Sequence, residues 1–337
     1  MAEGKVRVGV YGTGRMASNT HIPNLLKLDG VEIVAVCDVN AEGVKAAAEA
    51  FEIPAIYLDG REMVEKEEID ILYSCVPAFA RTDVEALAAE RGIHLFSEKP
   101  QSTTMAVPRR IDEAVRKAGV LSTVCFRERY RPLFQEAKRL LEGKRVVHAR
   151  FVSVSGRQEG PPPGMENHWQ YQMDKAGGKA FDWGVHAADY TRFMTGLDIV
   201  KAQAFYCHPP DAIKPLSSSF NYLLSSGATM TATFVAADPT DLDNVPWFSF
   251  FLDGGRLEIY RYDRIELNGE TVYRGEAFDP WFEQSRVFVE AVRSGDGSGI
   301  LNDYHDGLYS LAPVLAGWES ARRGGETIEV ESFMASA

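Results

Sequence analysis

Three short stretches place reactive side chains at spacings that could do chemistry. The first is Ser97-Glu98-Lys99-Pro100, which follows an apolar run and sets a carboxylate and an ammonium group beside a residue with a fixed backbone. A cation at a strand end can stabilise a developing alkoxide. It can equally pair with Glu98 on the rim. The second is GGKAFDWGVHAADY, residues 177 to 190. Asp182 and His186 stand four apart, so on a helix they share a face, and Asp189 lies three beyond His186. An acid one turn from a histidine can orient the imidazole and support its positive form, as for a held general base. A helix start with Asp182 near its N-terminus and a surface histidine fits the same spacing. The third is Gly12-x-Gly14-x-x-Ala17. Gly12 permits a tight turn, Gly14 lets backbone N–H groups approach a pyrophosphate, and Ala17 keeps the following helix close to a sheet.

These stretches need particular elements around them. KVRVGVY, VEIVAVC, PAIYLD, IDILYSCVP, IHLFSEKP and VLSTVCF read as strands, with helical segments such as AEGVKAAAEAF, REMVEKEE, DVEALAAERG and PRRIDEAVRKAG between them. Strands that alternate with helices of this length predict βαβ units and a parallel sheet, and runs apolar on both faces predict that it is buried. The glycine turn therefore follows a strand and opens a helix, whose positive end faces phosphates. Asp38 ends the next strand, where a dinucleotide site needs an acid for the ribose hydroxyls. A carboxylate there bonds the 2′-OH and repels a 2′-phosphate. Neither Val39 nor Asn40 offers a cation, so NAD is favoured over NADP, with Arg15 the one local cation that could turn toward a phosphate.

Beyond RYRPLFQEAKRLLEG, a helical segment, the pattern changes. RVVHARFVSVSG, KAQAFYC, SFNYLLSSGATMTATFVAA, WFSFFLDGGRLEIYR and RIELNGETVYR read as strands, several joined by the hairpin signals SSG, DGG and NGE. A mainly antiparallel sheet follows, with one face packed and the other free. DPWFEQSRVFVEAVRSG and DGLYSLAPVLAGWESARRG read as two late helices, and RQEGPPPGMENHW as a Pro/Gly-rich loop. With 337 residues, two domains are expected: a dinucleotide-binding domain over 1–124 and a substrate-binding and oligomerisation domain over 125–337.

Net charge is −12, from 36 basic and 48 acidic residues. That argues against nucleic acid or an anionic membrane as partner, since both favour a basic face. The N-terminus shows no signal peptide, and no run reaches the ~18 apolar residues of a membrane span. Cys37, Cys75, Cys125 and Cys207 form no C-x-x-C pair and read as buried reduced thiols. A cytoplasmic protein is expected. There is no H-x-x-x-H, H-E-x-x-H or cysteine cluster, so no metal site is expected.

Together the motifs resemble the Gfo/Idh/MocA oxidoreductase family over nearly the whole chain. GTGRMA is similar to its nucleotide turn, Asp38 to its ribose acid, SEKP to its Glu-Lys-Pro motif, and GGKAFDWGVHAADY to its Gly-Gly…Asp-x-Gly-x-His-x-x-Asp helix. The resemblance implies an α/β Rossmann domain with a parallel sheet, then an α+β domain with a mainly antiparallel open sheet that associates into dimers or tetramers. Hydride would move between a nicotinamide and a hydroxyl or carbonyl carbon of a sugar, cyclitol or related polyol. Lys99 would reach that oxygen, His186 would carry its proton, and Asp182 would bind substrate or orient the pair. NAD contacts would come from Gly12, Thr13, Gly14, Arg15, Met16, Asp38, Pro77 and Glu98.

Two positions depart from the family pattern. Arg127 stands where an Asn or His is common. It could clamp an acidic substrate, or form an ion pair with Glu128 or Glu136. Arg81 stands near where a His is common after Pro77. His168, Trp169 and Tyr171 suit sugar stacking, Trp169 above all, and equally suit packing. His21 reads as a structural residue at the helix start. Two other functions share the implied fold: an NAD-dependent glycosidase with transient hydride transfer, and an NAD-bound sensor. Retention of Lys99, Asp182 and His186 argues against the sensor.

Overall fold

A computed structural model describes residues 5–156, 160, 161, 163–165, 168–237 and 245–336. Six residues of the Pro/Gly-rich loop (157–159, 162, 166 and 167) lie outside the described residues. Two compact units emerge: Met1–Tyr130 with Asp279–Leu308, and Arg131–Phe278 with Tyr309–Ala337.

The first unit carries six parallel strands, β1 (Val6–Tyr11), β2 (Val31–Cys37), β3 (Ala55–Tyr57), β4 (Ile71–Ser74), β5 (His94–Ser97) and β6 (Ser122–Val124), in the order β3-β2-β1-β4-β5-β6. Val8, Val10, Ile71, Leu72, Leu95 and Phe96 are fully buried, as the two-sided apolar runs predict. The crossovers are α1 (Ile22–Leu25), α2 (Ala41–Phe51), α3 (Gly60–Lys66), α4 (Val84–Glu90) and α5 (Ala106–Ala118). Side-chain caps start two of them: Asn40 accepts from the Gly43 N–H, and Asp59 from those of Arg61 and Glu62. Before α1, residues Ala17–His21 are wound as a π-helix. Pro23 has no N–H to return to the preceding turn, which favours a local change of winding.

In the second unit, after α6 (Pro132–Leu141), come β7 (Val146–Ser155), α7 (Met173–Ala176), α8 (Gly178–Asp182) and α9 (Gly184–Thr195). Then follow β8 (Ile199–Cys207), β9 (Ser217–Leu224), β10 (Thr229–Ala236), β11 (Phe248–Leu252), β12 (Gly255–Tyr260), β13 (Arg264–Leu267) and β14 (Glu270–Arg274). With β15 (Ile328–Glu329) these make a nine-stranded sheet, β14-β13-β12-β11-β7-β10-β9-β8-β15, in which only β7 and β10 pair in parallel. One face is buried through Ala149, Phe151, Ala204, Phe220, Ala232, Phe234, Phe248 and Phe250, while Phe205 and Phe251 on the other are exposed.

α10 (Pro280–Ser294) belongs to the first unit despite its place late in the chain. Phe288 packs edge-on to Phe96, and the Gln284 amide donates to Thr123 Oγ1 (3.0 Å) and the Val124 carbonyl (2.8 Å) at β6. The helix thus covers apolar sheet surface and satisfies an edge strand. In α11 (Tyr304–Arg322) the residues from Tyr309 onward belong to the second unit, where α12 (Val330–Ser336) closes the chain. Among the described residues no helix is long and apolar enough to cross a membrane. Cys37 and Cys125 are buried and Cys75 half-buried, whereas Cys207 is exposed, because it alternates onto the same open face of β8 as Phe205; the expectation of a buried thiol fails there.

Candidate functional site

The glycine turn follows β1 at the carboxyl end of the first sheet. Gly12 has φ +94°, and a Cβ on it would lie 2.9 Å from the backbone of Cys75 and Val76 after β4. Only glycine fits there. Gly14 differs: a Cβ would meet nothing within 4 Å, so the space above it is open. Gly14 and Arg15 are exposed and Met16 half-buried. Asp38, just beyond β2, braces the turn. One carboxylate oxygen accepts from the Thr13 N–H (2.8 Å) and hydroxyl (3.3 Å), the other from the Asn40 N–H (2.9 Å). A close-packed Gly12, an open approach over Gly14 and an adjacent carboxylate are what a bound dinucleotide needs. Pro77 caps the short turn Ala78–Ala80 after β4.

At the end of β5, Glu98 continues the strand pairing, its N–H bonded to the Ser74 carbonyl at 2.8 Å. Its side chain is buried, accepts from the Lys99 N–H at 3.0 Å, and meets His21 Nε2 at 2.6 Å. Burial is the largest influence on Glu98 and opposes ionisation. The hydrogen bond and charge of His21, backed by Lys99 and Arg127, outweigh it and hold the carboxyl down at about 2. Glu98 is therefore an anion that fixes the backbone at Lys99. Lys99 is half-buried, and its bond to Pro100 is cis.

Arg81 and His21 acquire roles the sequence did not disclose. Arg81 is buried and donates to Ser74 Oγ (3.2 Å), Ser97 Oγ (2.7 Å), the Glu98 carbonyl and the Glu85 carboxylate. It ties the ends of β4 and β5, and the carbonyl that precedes Lys99, to α4. The four-residue spacing of Arg81 and Glu85 was the only readable sign. Arg127, in a short 3-10 turn after β6, has its Nε 3.2 Å from Glu128 Oε1 and its guanidinium 4.0 Å from the Trp281 ring centroid. The ion pair weighed for it is thus formed with Glu128, while Glu136 pairs with Arg139. His21, Glu98 and Cys125 bring a ring nitrogen, a carboxylate oxygen and a thiol within 4.8 Å of one another. Burial, then the charge of Glu98, pushes the Cys125 thiol well up.

The remaining candidates lie in the second unit. Gly177 and Gly178 are both left-handed, and a Cβ on Gly177 would sit 2.5 Å from Phe181. That pair ends α7 and starts α8. The helix expected to carry Asp182 and His186 on one face is divided at Trp183 into α8 and α9, with Asp182 exposed at the end of the first and His186 buried in the first turn of the second. Backbone hydrogen bonds run on through this point, from the Trp183 N–H to the Lys179 carbonyl (2.9 Å) and from the Ala187 N–H to the Trp183 carbonyl (3.0 Å), while the Trp183 ring packs 5.4 Å from Trp247 and 5.2 Å from His186. His186 stacks on Tyr190 at 5.2 Å. Asp189 is fully buried and accepts from Ser310 Oγ at 2.9 Å, so it serves packing. Trp169 is half-buried beside His168, 5.8 Å away. The candidates thus form two groups: Gly12 to Met16, Asp38, Pro77, Glu98, Lys99 and Arg127 in one unit, and Trp169, Asp182 and His186 in the other.

An oxidoreductase family with an NAD-binding Rossmann fold matches residues 6–126, and a Gfo/Idh/MocA C-terminal domain matches residues 134–260. D-apiose dehydrogenase from Paraburkholderia graminis is 26% identical over 95% of this chain and 88% of its own length. Myo-inositol 2-dehydrogenase from Thermotoga maritima is 26% identical over 91% and 93%. A crystal structure of an oxidoreductase from Thermotoga maritima superposes with a TM-score of 0.82 at 24% identity, over 98% of this chain and 99% of that one.

Proposed function

Because the chain belongs to the Gfo/Idh/MocA family of NAD-binding oxidoreductases, we propose that its substrate is a sugar, cyclitol or related polyol, oxidised at one hydroxyl carbon or reduced at one carbonyl. The observation that carries this reading is Lys99, held at the carboxyl end of β5 by an ionised Glu98 in an NAD-binding sheet. Ligands of open α/β sheets bind at that edge. Relatives named as apiose and inositol dehydrogenases support the substrate class.

Gly12 to Met16 would cradle the pyrophosphate, Asp38 the ribose, with Pro77 and Glu98 lining the nicotinamide end. NAD, when bound, supplies a hydride acceptor. In oxidation the substrate O–H and its geminal C–H both break and a C=O bond forms. His186 would take the hydroxyl proton, and the Lys99 ammonium would stabilise negative charge growing on that oxygen. Asp182, at the end of α8, binds a substrate hydroxyl or orients this pair. Trp169 packs against the sugar ring. The open, partly apolar face of the nine-stranded sheet, with Phe205 and Phe251 exposed, supports a homodimer or homotetramer.

The test is a panel of polyols and aldoses with NAD, read at 340 nm, beside Lys99→Ala and His186→Ala. Turnover that falls by about 10²-fold or more in both variants, with NAD affinity retained, is the expected result. Bound nicotinamide with no net turnover of any compound would overturn it.

A further inference from the structure

The surroundings of Asp182 and His186 are more basic than a chain of net charge −12 leads one to expect. Lys179 lies on α8, three residues before Asp182, with its Nζ 5.5 Å from the Trp183 ring. Lys214, in the loop before β9, has its Nζ 5.5 Å from the Tyr171 ring. Arg261, just past β12, lies 5.7 Å from the Trp247 ring. The rings connect Lys179 to Arg261, since Trp183 packs on both Trp247 and His186. Lys179 also lines a recess with Ser155, Pro215, Ser218 and Phe234, and Pro215 is the immediate neighbour of Lys214.

None of the three cations has an ion-pair partner among the described residues. Burial lowers the pKa of both Lys179 and Lys214, and Asp182 counters it only in part. Each lysine also feels the other's charge or that of Arg261. Cations set against one another, two of them half-buried, gain free energy from a bound anion. Arg127 does not fill this role in its own unit, since Glu128 and the Trp281 face already hold its guanidinium.

We propose that Lys179, Lys214 and Arg261 form a subsite for the anionic group of an acidic sugar, beside the histidine that handles its hydroxyl. The proposal rests on the dehydrogenase reading and narrows its substrate class. Trp183, Trp247 and Tyr171 offer faces for a sugar ring, and Ser155 and Ser218 offer hydroxyls to its oxygens. A carboxylate and a phosphate share the required chemistry.

The experiment is calorimetric titration of the NAD-loaded protein with glucose, glucuronate and glucose 6-phosphate. It compares wild type with Lys179→Met/Lys214→Met, Arg261→Met and the charge-preserving Lys179→Arg. Lys179 is exposed, and Lys214 and Arg261 are half-buried; a thermal melt of each variant checks that it folds. One or both acids should bind at least ~10-fold more tightly than glucose, a preference that the double variant and Arg261→Met reduce and Lys179→Arg retains. Whichever acid shows it identifies carboxylate or phosphate as the group. Equal affinity for acids and glucose, or a preference unmoved in the methionine variants, overturns the subsite. If acids bind in this charge-dependent way but no hydride transfer appears at 340 nm, the subsite stands and the dehydrogenase reading falls. If neutral polyols turn over while acids neither bind tightly nor react, the reverse holds.

Discussion

His21 and Glu98 meet in the interior of the first unit, Nε2 to Oε1 at 2.6 Å, with the histidine wholly buried. The pair joins the first helical turn after the nucleotide loop to the residue before Lys99, so one buried contact couples two parts of the candidate site. Glu98 falls from an ordinary 4.5 to about 2, and a depressed carboxylate stabilises the fold above its unfolded value. That contribution, roughly 3 kcal/mol by linkage, is complete above about pH 4.5 and is lost as pH falls toward 2. Glu98→Gln is expected to melt lower than wild type at pH 7 and to lose less stability across that acid window. Thermal melts from pH 7 to pH 2 make the comparison; parallel curves would contradict it.

Arg81 should be the more costly residue to remove. Arg81→Met leaves the Glu85 carboxylate buried without its cation and takes a donor from the Glu98 carbonyl. The expected loss is about 3–5 kcal/mol in urea unfolding. Arg81→Met/Glu85→Gln should recover part of it, because the stranded charge is gone. A double variant no more stable than the single one would show that Glu85 is not the source of the cost.

The two glycines of the nucleotide turn should respond differently to the same change. Gly12→Ala puts a methyl group 2.9 Å from backbone atoms at φ +94°, so stability and NAD binding should fall together. Gly14→Ala meets no protein atom within 4 Å. It should melt within about 1 kcal/mol of wild type while NAD affinity drops, since the methyl group occupies the pyrophosphate approach. Melting curves and NAD titrations of both variants separate the cases.

Asp38→Ala should weaken NAD about tenfold or more, the scale of a lost hydrogen bond to a charged group. It should also narrow the preference for NAD over NADP, because the repulsion of a 2′-phosphate goes with the carboxylate. Dissociation constants for both nucleotides check this. An unchanged preference would place discrimination elsewhere, with Arg15 the nearest cation in the turn.

The parallel sheet was legible because its information is local. Val31–Cys37 and Ala41–Phe51 begin and end where their apolar runs and the capping Asn40 place them. The hairpins of the second sheet were legible for the same reason, since a turn such as SSG sets the pairing of its two flanking strands. The four-residue spacing of Asp182 and His186 was legible, but not the division between them at Trp183. Nor was the packing of Trp183 on Trp247, 64 residues away in sequence and with no local signature.

By itself the sequence determined the order of strands and helices, the nucleotide turn and the identity of the reactive side chains. Periodicity, turn chemistry and motif spacing act over a few residues. Only the tertiary structure decided that His21 and Arg81 brace Glu98, that α10 belongs with the first sheet, and that Lys179, Lys214 and Arg261 gather beside Asp182. Those facts depend on burial and on charges brought together from distant positions. A buried ion must find its partner wherever the fold places one, and no local rule of sequence encodes that place.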